Sequence, residues 1–396
     1  MKRIMVMGAA IEQLPGIIAA KEMGYRVGVI DYNPHAVGIP YADEYFNVST
    51  IDEKGVFEAA KHFGADGFLT LATDMPMRAV AKACEKLGLV GISYETAVMA
   101  TDKGKMMAAF KEHDVESPWY FIIQSETELE KVLGKIVYPC IIKPTDNSAS
   151  RGVVIVNSSD EIKEAYHYSV GQSKSKNVII EEYMSGNEVS VETLTYNGRT
   201  HVIQVTDKIT TGAPHFVEVG HAQPSQLPPE TVDKIKGLAV RAVNALGITV
   251  GPAHIEIMVT KDGPKLIELG ARLGGDCITS HLVKLSTGVD MLKETVKTLC
   301  GEKPNLTVLY NKCAAIRFVM PETNGFFSGI TGIKEAESVP GIKEISYILH
   351  EGDILSGIHS SDDRLAYVIA QSDSVEEAMS ACINAISKMT IKVSRK

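Results

Sequence analysis

The stretch Gly251–Asp276, GPAHIEIMVTKDGPKLIELGARLGGD, sets two apolar runs on either side of the turn signal Lys261-Asp262-Gly263, the pattern of a β-hairpin. Side chains alternate faces along a strand. On the first strand Ala253, Ile255, Ile257 and Val259 share one face, and His254, Glu256 and Met258 share the other. On the second, alternation puts Ile267 with Leu269 and Leu266 with Glu268. A turn centred on Asp262 sets Glu256 opposite Glu268, with Cβ atoms roughly 4.5–5.5 Å apart. Two bare carboxylates at that separation repel each other. A shared proton would relieve the repulsion. A hard divalent cation would relieve it better, and Mg²⁺ characteristically takes one or two carboxylates together with substrate phosphates. The plain alternative is an exposed hairpin with two solvated glutamates.

The rest of the composition is that of a globular protein of two or three domains: 396 residues, 45% hydrophobic and 22% charged. No apolar run approaches the roughly 18–20 residues of a membrane span. Met1–Gly8 enters a strand pattern at once, without a signal-peptide cleavage pattern. The six cysteines are scattered with no Cys-x-x-Cys, which points to reduced thiols in a cytoplasm and away from disulfides or zinc. A net charge of −9 offers no general attraction to nucleic acid or anionic membrane. An anionic ligand therefore needs a locally basic pocket.

Upstream, strands and helices alternate. Arg3–Gly8, Arg26–Asp31 and Gly67–Leu71 read as strands, and Ile11–Met23, Glu53–Phe63 and Met75–Leu87 as helices. That alternation predicts a parallel sheet covered on both faces. Gly8-Ala9-Ala10 with Asp31 is a poor dinucleotide fingerprint, because Ile11, Glu12 and Gln13 stand where later glycines would let a pyrophosphate approach. The sheet reads as a scaffold and one wall of a cleft. Thr101 or Asp102 suits the N-cap of a helix running to about His113. Lys103 in its first turn opposes the helix dipole, which hints at another use.

Tyr138–Lys143 is a buried-looking strand with a lysine at its end. A small polar loop, Thr145–Gly152, follows, of the kind that can fold backbone N–H groups over phosphates. It lacks Walker spacing. Asn177–Met184 is a strand ending in Glu181-Glu182-Tyr183-Met184. Glu188–Leu194 and Thr200–Thr206 flank the hairpin signal Asn197-Gly198. Thr206–Gln226 reads as a loop with Lys208, His215 and His221, a candidate for substrate choice or an ordinary loop with surface histidines. Pro228–Leu246 is an amphipathic helix. Beyond Lys303 the chain reads as a small α+β unit, with strands at Cys313–Met320 and Arg364–Ala370, a turn-prone Gly325–Gly332 and a helix at Ser374–Met389.

Taken in order, Asp102-Lys103, Ile142-Lys143-Pro144, the small-residue loop, Glu181-Glu182-Tyr183-Met184 with Glu188, then Glu256 and Glu268, resemble the ATP-grasp ligases, which include L-amino-acid ligases and glycinamide ribonucleotide synthetase. The resemblance implies a mixed α/β and α+β fold. A Rossmann-like pre-ATP-grasp domain would cover residues 1–94, the ATP-grasp domain 95–302 and a C-terminal α+β lid domain 303–396. It implies that Lys103, Lys143, Ser148, Ser150, Arg151 and Gly152 meet the triphosphate. Glu181, Glu182, Tyr183 and Met184 would meet adenine, and Glu188 the ribose. Glu256 and Glu268 would be ligands of Mg²⁺, with Mn²⁺ able to substitute. Arg272 and Lys208 would be catalytic. Relatives commonly have asparagine two residues after the second glutamate; this chain has Gly270, so a water or a nearby residue such as Asp276 would compensate.

The implied activity is an ADP-forming carboxylate–amine ligase acting on small molecules, with neither nucleic acid nor membrane as partner and with room for a homodimer. The Thr206–Gln226 segment is most similar to that of L-amino-acid ligases. A phosphoribosylglycinamide synthetase-like purine-pathway ligase and a non-catalytic Mg-ATP-binding regulator are the alternatives.

Overall fold

The structure, a computed structural model, describes residues 1–147, 152–212, 217–321, 323–347, 349–358 and 360–394. Ser148, Ser150, Arg151 and His215 lie outside the described residues. The chain begins with a parallel sheet of β1 (Arg3–Met7), β2 (Arg26–Asp31), β3 (Glu44–Asn47) and β4 (Gly67–Thr70), in the order β3-β2-β1-β4. β1 and β2 are almost wholly buried along their length, as expected of parallel strands covered on both faces. Among the covering helices, Glu53–Phe63 starts where the Asp52 carboxylate accepts from the N–H groups of Lys54 and Gly55.

A second sheet contains β5 (Tyr120–Ile123), β6 (Cys140–Pro144), β7 (Val154–Val156) and β8 (Val178–Glu182), in the antiparallel order β5-β8-β6-β7. The largest sheet combines β9 (Asn187–Tyr196), β10 (Arg199–Thr210), β11 (Glu218–Gln223), β12 (Gly251–Thr260) and β13 (Gly263–Gly270) with three strands from the C-terminal part. Those are β14 (Cys313–Val319), β16 (Ile342–Tyr347) and β18 (Ala366–Ser372). β15 (Gly325–Thr331), β17 (Ile354–Leu355) and β19 (Thr390–Ser394) make a small separate sheet. The large sheet runs β13-β12-β9-β10-β11-β14-β18-β16, so it passes without a break from the hairpin into the C-terminal part. Helix Pro229–Ala245 buries Leu238 and Ala242 in the same core as Ile255, Ile257, Leu266 and Leu269.

Three expectations change. Gly325–Gly332 is not a turn region. β15 pairs with β19 there, and its glycines sit beside a register shift between Phe327 and Gly329. Thr206–Gln226 is not a plain loop. β10 extends to Thr210 and β11 begins at Glu218, with Lys208 opposite His221. His221 is buried rather than on the surface.

The hairpin carries the third change. Thr260 pairs with Gly263, so its turn has only Lys261 and Asp262 between the strands and is not centred on Asp262. A register shift at Ile267 adds one residue, and Glu256 still ends opposite Glu268. The bulge also changes the faces. Leu266 and Leu269 both enter the core, while Ile267 joins Glu268, Glu256 and Met258 on the cleft side.

The N-terminal sheet is stitched to the hairpin's far end. Leu71 and Leu273 form a parallel bridge. The Ala72 N–H donates to the Leu273 carbonyl at 3.0 Å, and the Leu273 N–H to the Thr70 carbonyl at 3.2 Å. Helix Met291–Leu299 places Met291, Leu292 and Val296 in one core with Val6, Val29 and Leu71.

Candidate active site

The hairpin face, β6 and β8 enclose a cleft of about 220 Å³ whose walls include Lys103, Lys143, Tyr183, Met184, Glu256 and Glu268. Each hairpin carboxylate meets a lysine. Lys103 Nζ lies 2.6 Å from Glu268 Oε1 and also donates to the Asn147 carbonyl at 3.0 Å. Its helix, Lys103–Glu112, is capped by Asp102, whose carboxylate accepts from the Lys105 N–H and offsets the misplaced charge. The Lys103 N–H donates to the Thr145 carbonyl, which ties the helix start to the polar loop.

Lys208 lies between three carboxylates: it donates to Glu188 and stands 3.3 Å from Glu256 and 3.5 Å from Glu218. Burial disfavours its ammonium, but Glu256, Glu188 and Glu218 outweigh that and hold its pKa well above the ordinary value. Burial likewise works against the Glu256 carboxylate, yet Lys208, His254 and Arg272 hold its pKa well below the usual range. Glu188 goes the other way: burial and the Glu256 charge raise it despite Lys208, since one ammonium cannot fully compensate both.

Deeper in the cleft, Lys143 pairs with Glu181 at 2.5 Å, both buried. Among the described residues Glu181 Oε2 has no hydrogen-bond partner. Glu182 is engaged by Lys265 at 2.8 and 2.9 Å, and its N–H donates to the Trp119 carbonyl. Gly152 closes the polar loop. Its φ is +82°, a Cβ there would meet Pro144 at 2.8 Å, and its carbonyl accepts from Ser169. Tyr183, Met184 and Glu188 also line a wider opening of about 530 Å³.

The donor set fits an Mg-nucleotide. Glu256 and Glu268 offer hard oxygen donors facing each other, the kind of pair that Mg²⁺ takes together with phosphate and water. Among the described residues no group of three or more His, Cys, Asp or Glu gathers into a closed protein cage.

A second cavity of about 280 Å³ adjoins the first and shares Lys208, Glu218 and Glu256 with it. Here lie groups that sequence reasoning missed. His254 meets Glu192 through Nδ1 at 2.5 Å and Glu256 through Nε2 at 3.4 Å. Burial opposes the imidazolium, but Glu192 first and then Glu256 raise its pKa to about 9. Strand alternation carried that signal, since His254 shares a face with Glu256 and Glu192 shares one with Glu188. Arg364, from the C-terminal part, grips Asp276 at 2.7 and 3.0 Å, and His221 Nε2 lies 3.3 Å from the same carboxylate. Burial would raise the Asp276 pKa, but His221 and Arg364 hold it well below the usual range. Asp276 is thus committed to Arg364 and does not stand in for the side chain missing at Gly270. The carboxylate beside Gly270 is Asp74, which holds Arg272 at 3.0 and 3.2 Å. No sequence pattern pairs Asp74 with Arg272 or Arg364 with Asp276.

The sheet order, the opposed glutamates and the lysines over them are those of the ATP-grasp fold. The chain carries an ATP-grasp domain over residues 136–280. It continues into an L-amino acid ligase C-terminal domain 2 over residues 317–394. It is similar to the solved L-amino acid ligase of Bacillus licheniformis, with a TM-score of 0.87 at 24% identity over 100% of this chain and 99% of that one. Phosphoribosylglycinamide synthetase from Anaerococcus prevotii gives a TM-score of 0.83 at 25% identity, over 99% and 100% of the chains. Alanine–anticapsin ligase of Bacillus subtilis (strain 168) is 28% identical over 319 residues, which cover 74% of this chain and 66% of that protein. The matched region thus spans just under two thirds of the length of such curated relatives. No helix among the described residues is long and apolar enough to cross a membrane.

Proposed function

We propose that the protein is an ATP-dependent carboxylate–amine ligase. It would activate an amino acid or a similar small carboxylic acid and release ADP and phosphate. The observation that carries this reading is the junction of the two cavities at Glu256 and Lys208. A nucleotide cleft and a polar substrate cavity meet there over two carboxylates, Glu256 and Glu218, and one ammonium.

In this reading Lys103, Lys143 and the loop closed by Gly152 take the triphosphate. Glu181, whose Oε2 has no partner among the described residues, takes a donor from the base, with Glu182, Tyr183 and Met184 around it. Glu188 would accept from the ribose hydroxyls. Mg²⁺ held by Glu256 and Glu268 would neutralise phosphate charge. The substrate carboxylate oxygen attacks the γ-phosphorus and ADP leaves. The amine nitrogen then attacks the acyl carbon, the bond to the phosphate oxygen breaks, and the amine gives up a proton. Lys208 and Arg272 line the route and balance the negative charge on the carboxylate and the transferred group.

Among the described residues both arginines of the substrate cavity already hold carboxylates, Asp74 and Asp276. That suits a small zwitterion better than the phosphorylated sugar of a glycinamide ribonucleotide synthetase-like enzyme. The test is ADP release with Mg-ATP against a library of amino acids, alone and in pairs. Release with amino-acid pairs is expected. Tight Mg-ATP binding with no ADP formed on any amine and carboxylate would sink the proposal.

A further inference from the structure

We propose that Asp74 is a positioning residue for Arg272. The loop after β4 supplies a carboxylate into the space that glycine leaves at position 270, and that carboxylate fixes the guanidinium beside Glu256 during the ADP-forming reaction. The inference rests on the ligase reading above.

Three independent features carry it. Asp74 takes Arg272 in two bonds, Nε to Oδ1 at 3.0 Å and Nη2 to Oδ2 at 3.2 Å, the planar fork that sets a guanidinium's orientation as well as its place. A Cβ on Gly270 would fall 2.4 Å from Asp74 Oδ1 and 3.1 Å from Arg272, so the pair occupies the volume of a side chain at 270. Gly270 does not have a positive φ, so the backbone itself does not require glycine there. The third feature is the stitching around the pair: Leu71 bridges Leu273, and hydrogen bonds from Ala72 and Leu273 pin the Asp74 loop next to the residue after Arg272. Both side chains line the substrate cavity together with Glu256. Burial disfavours the Arg272 cation, and Asp74 is the first charge that offsets this, ahead of Glu256 and Glu192. A guanidinium held by two bonds keeps one placement, and misplacing a reacting partner by about 1 Å costs on the order of 100-fold in rate.

The experiment compares wild type, Asp74→Asn, Asp74→Ala, Gly270→Ala and the double variant Asp74→Ala/Gly270→Ala. Steady-state ADP release with the best amino-acid pair is measured alongside Mg-ATP affinity by titration. Asp74→Asn is expected to lower kcat roughly 100-fold with Mg-ATP affinity unchanged. Gly270→Ala is expected to lower kcat in the wild-type background and to cost little more once Asp74 is gone, because the two changes act through one contact. A structural role alone would lower stability and multiply the two losses. Wild-type kcat in Asp74→Asn, or equal losses from Gly270→Ala in both backgrounds, would overturn the proposal. A readout without turnover separates this from a failed ligase reading: phenylglyoxal modification of Arg272, mapped by peptide mass. Arg272 should be protected in wild type and modified in Asp74→Asn, even if no amino acid supports ADP release. Equal modification in the two proteins would overturn the positioning role.

Discussion

The nucleotide cleft and the substrate cavity share Glu256, Lys208 and Glu218 yet are built in different ways. The cleft draws mostly on neighbouring strands. Glu256 and Glu268 face each other across one hairpin, and Lys143 and Glu181 sit on adjacent strands. The cavity draws on distant parts of the chain. Asp74 comes from the loop after β4, Arg272 and Asp276 from beyond β13, and Arg364 from the C-terminal part, joined as side-chain ion pairs. Register places the charges of the cleft, and ion pairs between separate units place those of the cavity. Substitutions in the first should strike chemistry with the fold intact. Substitutions at the Arg364–Asp276 pair of the second should strike substrate binding and assembly together.

The largest expected effect tests the register side. Glu268→Gln removes the charge of a proposed metal ligand but keeps the shape of the side chain. It should lower ADP release roughly 30- to 1,000-fold, a loss of about 2–4 kcal/mol of transition-state stabilisation, while circular dichroism and melting temperature stay near wild type. ADP release at the wild-type rate would break the assignment of the opposed pair.

The next effect concerns the charge behind Glu256. In the folded protein the His254 pKa is raised from 6.5 to about 9 by Glu192 and Glu256 against its burial. Its stabilising contribution is therefore fully present below about pH 6.5 and is lost as pH rises through about 9. The gap in unfolding free energy between wild type and His254→Asn should shrink by on the order of 3 kcal/mol from pH 6 to pH 9.5. A gap independent of pH would show that His254 folds as a neutral ring.

The cavity side is broken by Asp276→Asn, which leaves Arg364 and His221 without their shared charge. Hydrogen bonds to charged groups contribute about 1.5–3 kcal/mol. Stability should fall by that order, and KM for the carboxylate or amine should rise with KM for ATP unchanged. Equal changes in both KM values would erase the distinction between the two regions.

The same distinction explains what was legible in the sequence. Period-2 alternation and a turn signal were enough to set Glu256 against Glu268, although the true turn is one residue tighter and a bulge at Ile267 restores the pairing. Alternation could not foresee the bulge, because an inserted residue leaves no hydrophobic mark. For that reason Leu266 and Ile267 were given each other's face. Lys103 and Lys143 were found by order along the chain, which needs no knowledge of distance. Asp74 and Arg364 could not be found that way. Each reaches the cavity only after the N-terminal and C-terminal parts have packed, and residues that far apart in sequence share no period. Gly325–Thr331 misled for a local reason. Glycine usually punctuates turns, but here the glycines accommodate an irregular pairing with β19.

The smallest expected effect sharpens the comparison from inside the cleft, where Lys265 holds Glu182 in an ion pair, unlike the register-placed pair beside it. Both side chains are about a quarter exposed, so water screens much of the attraction. Such pairs contribute about 0.2–1 kcal/mol. Lys265→Ala should therefore lower the melting temperature only slightly. Because Glu182 is also held by its strand, through its N–H to the Trp119 carbonyl, its backbone should stay in place and Mg-ATP affinity should change by only a few-fold. A collapse of nucleotide binding in Lys265→Ala would mean that the ion pair, and not the strand, holds this end of the cleft. The cleft would then be assembled in the same way as the cavity.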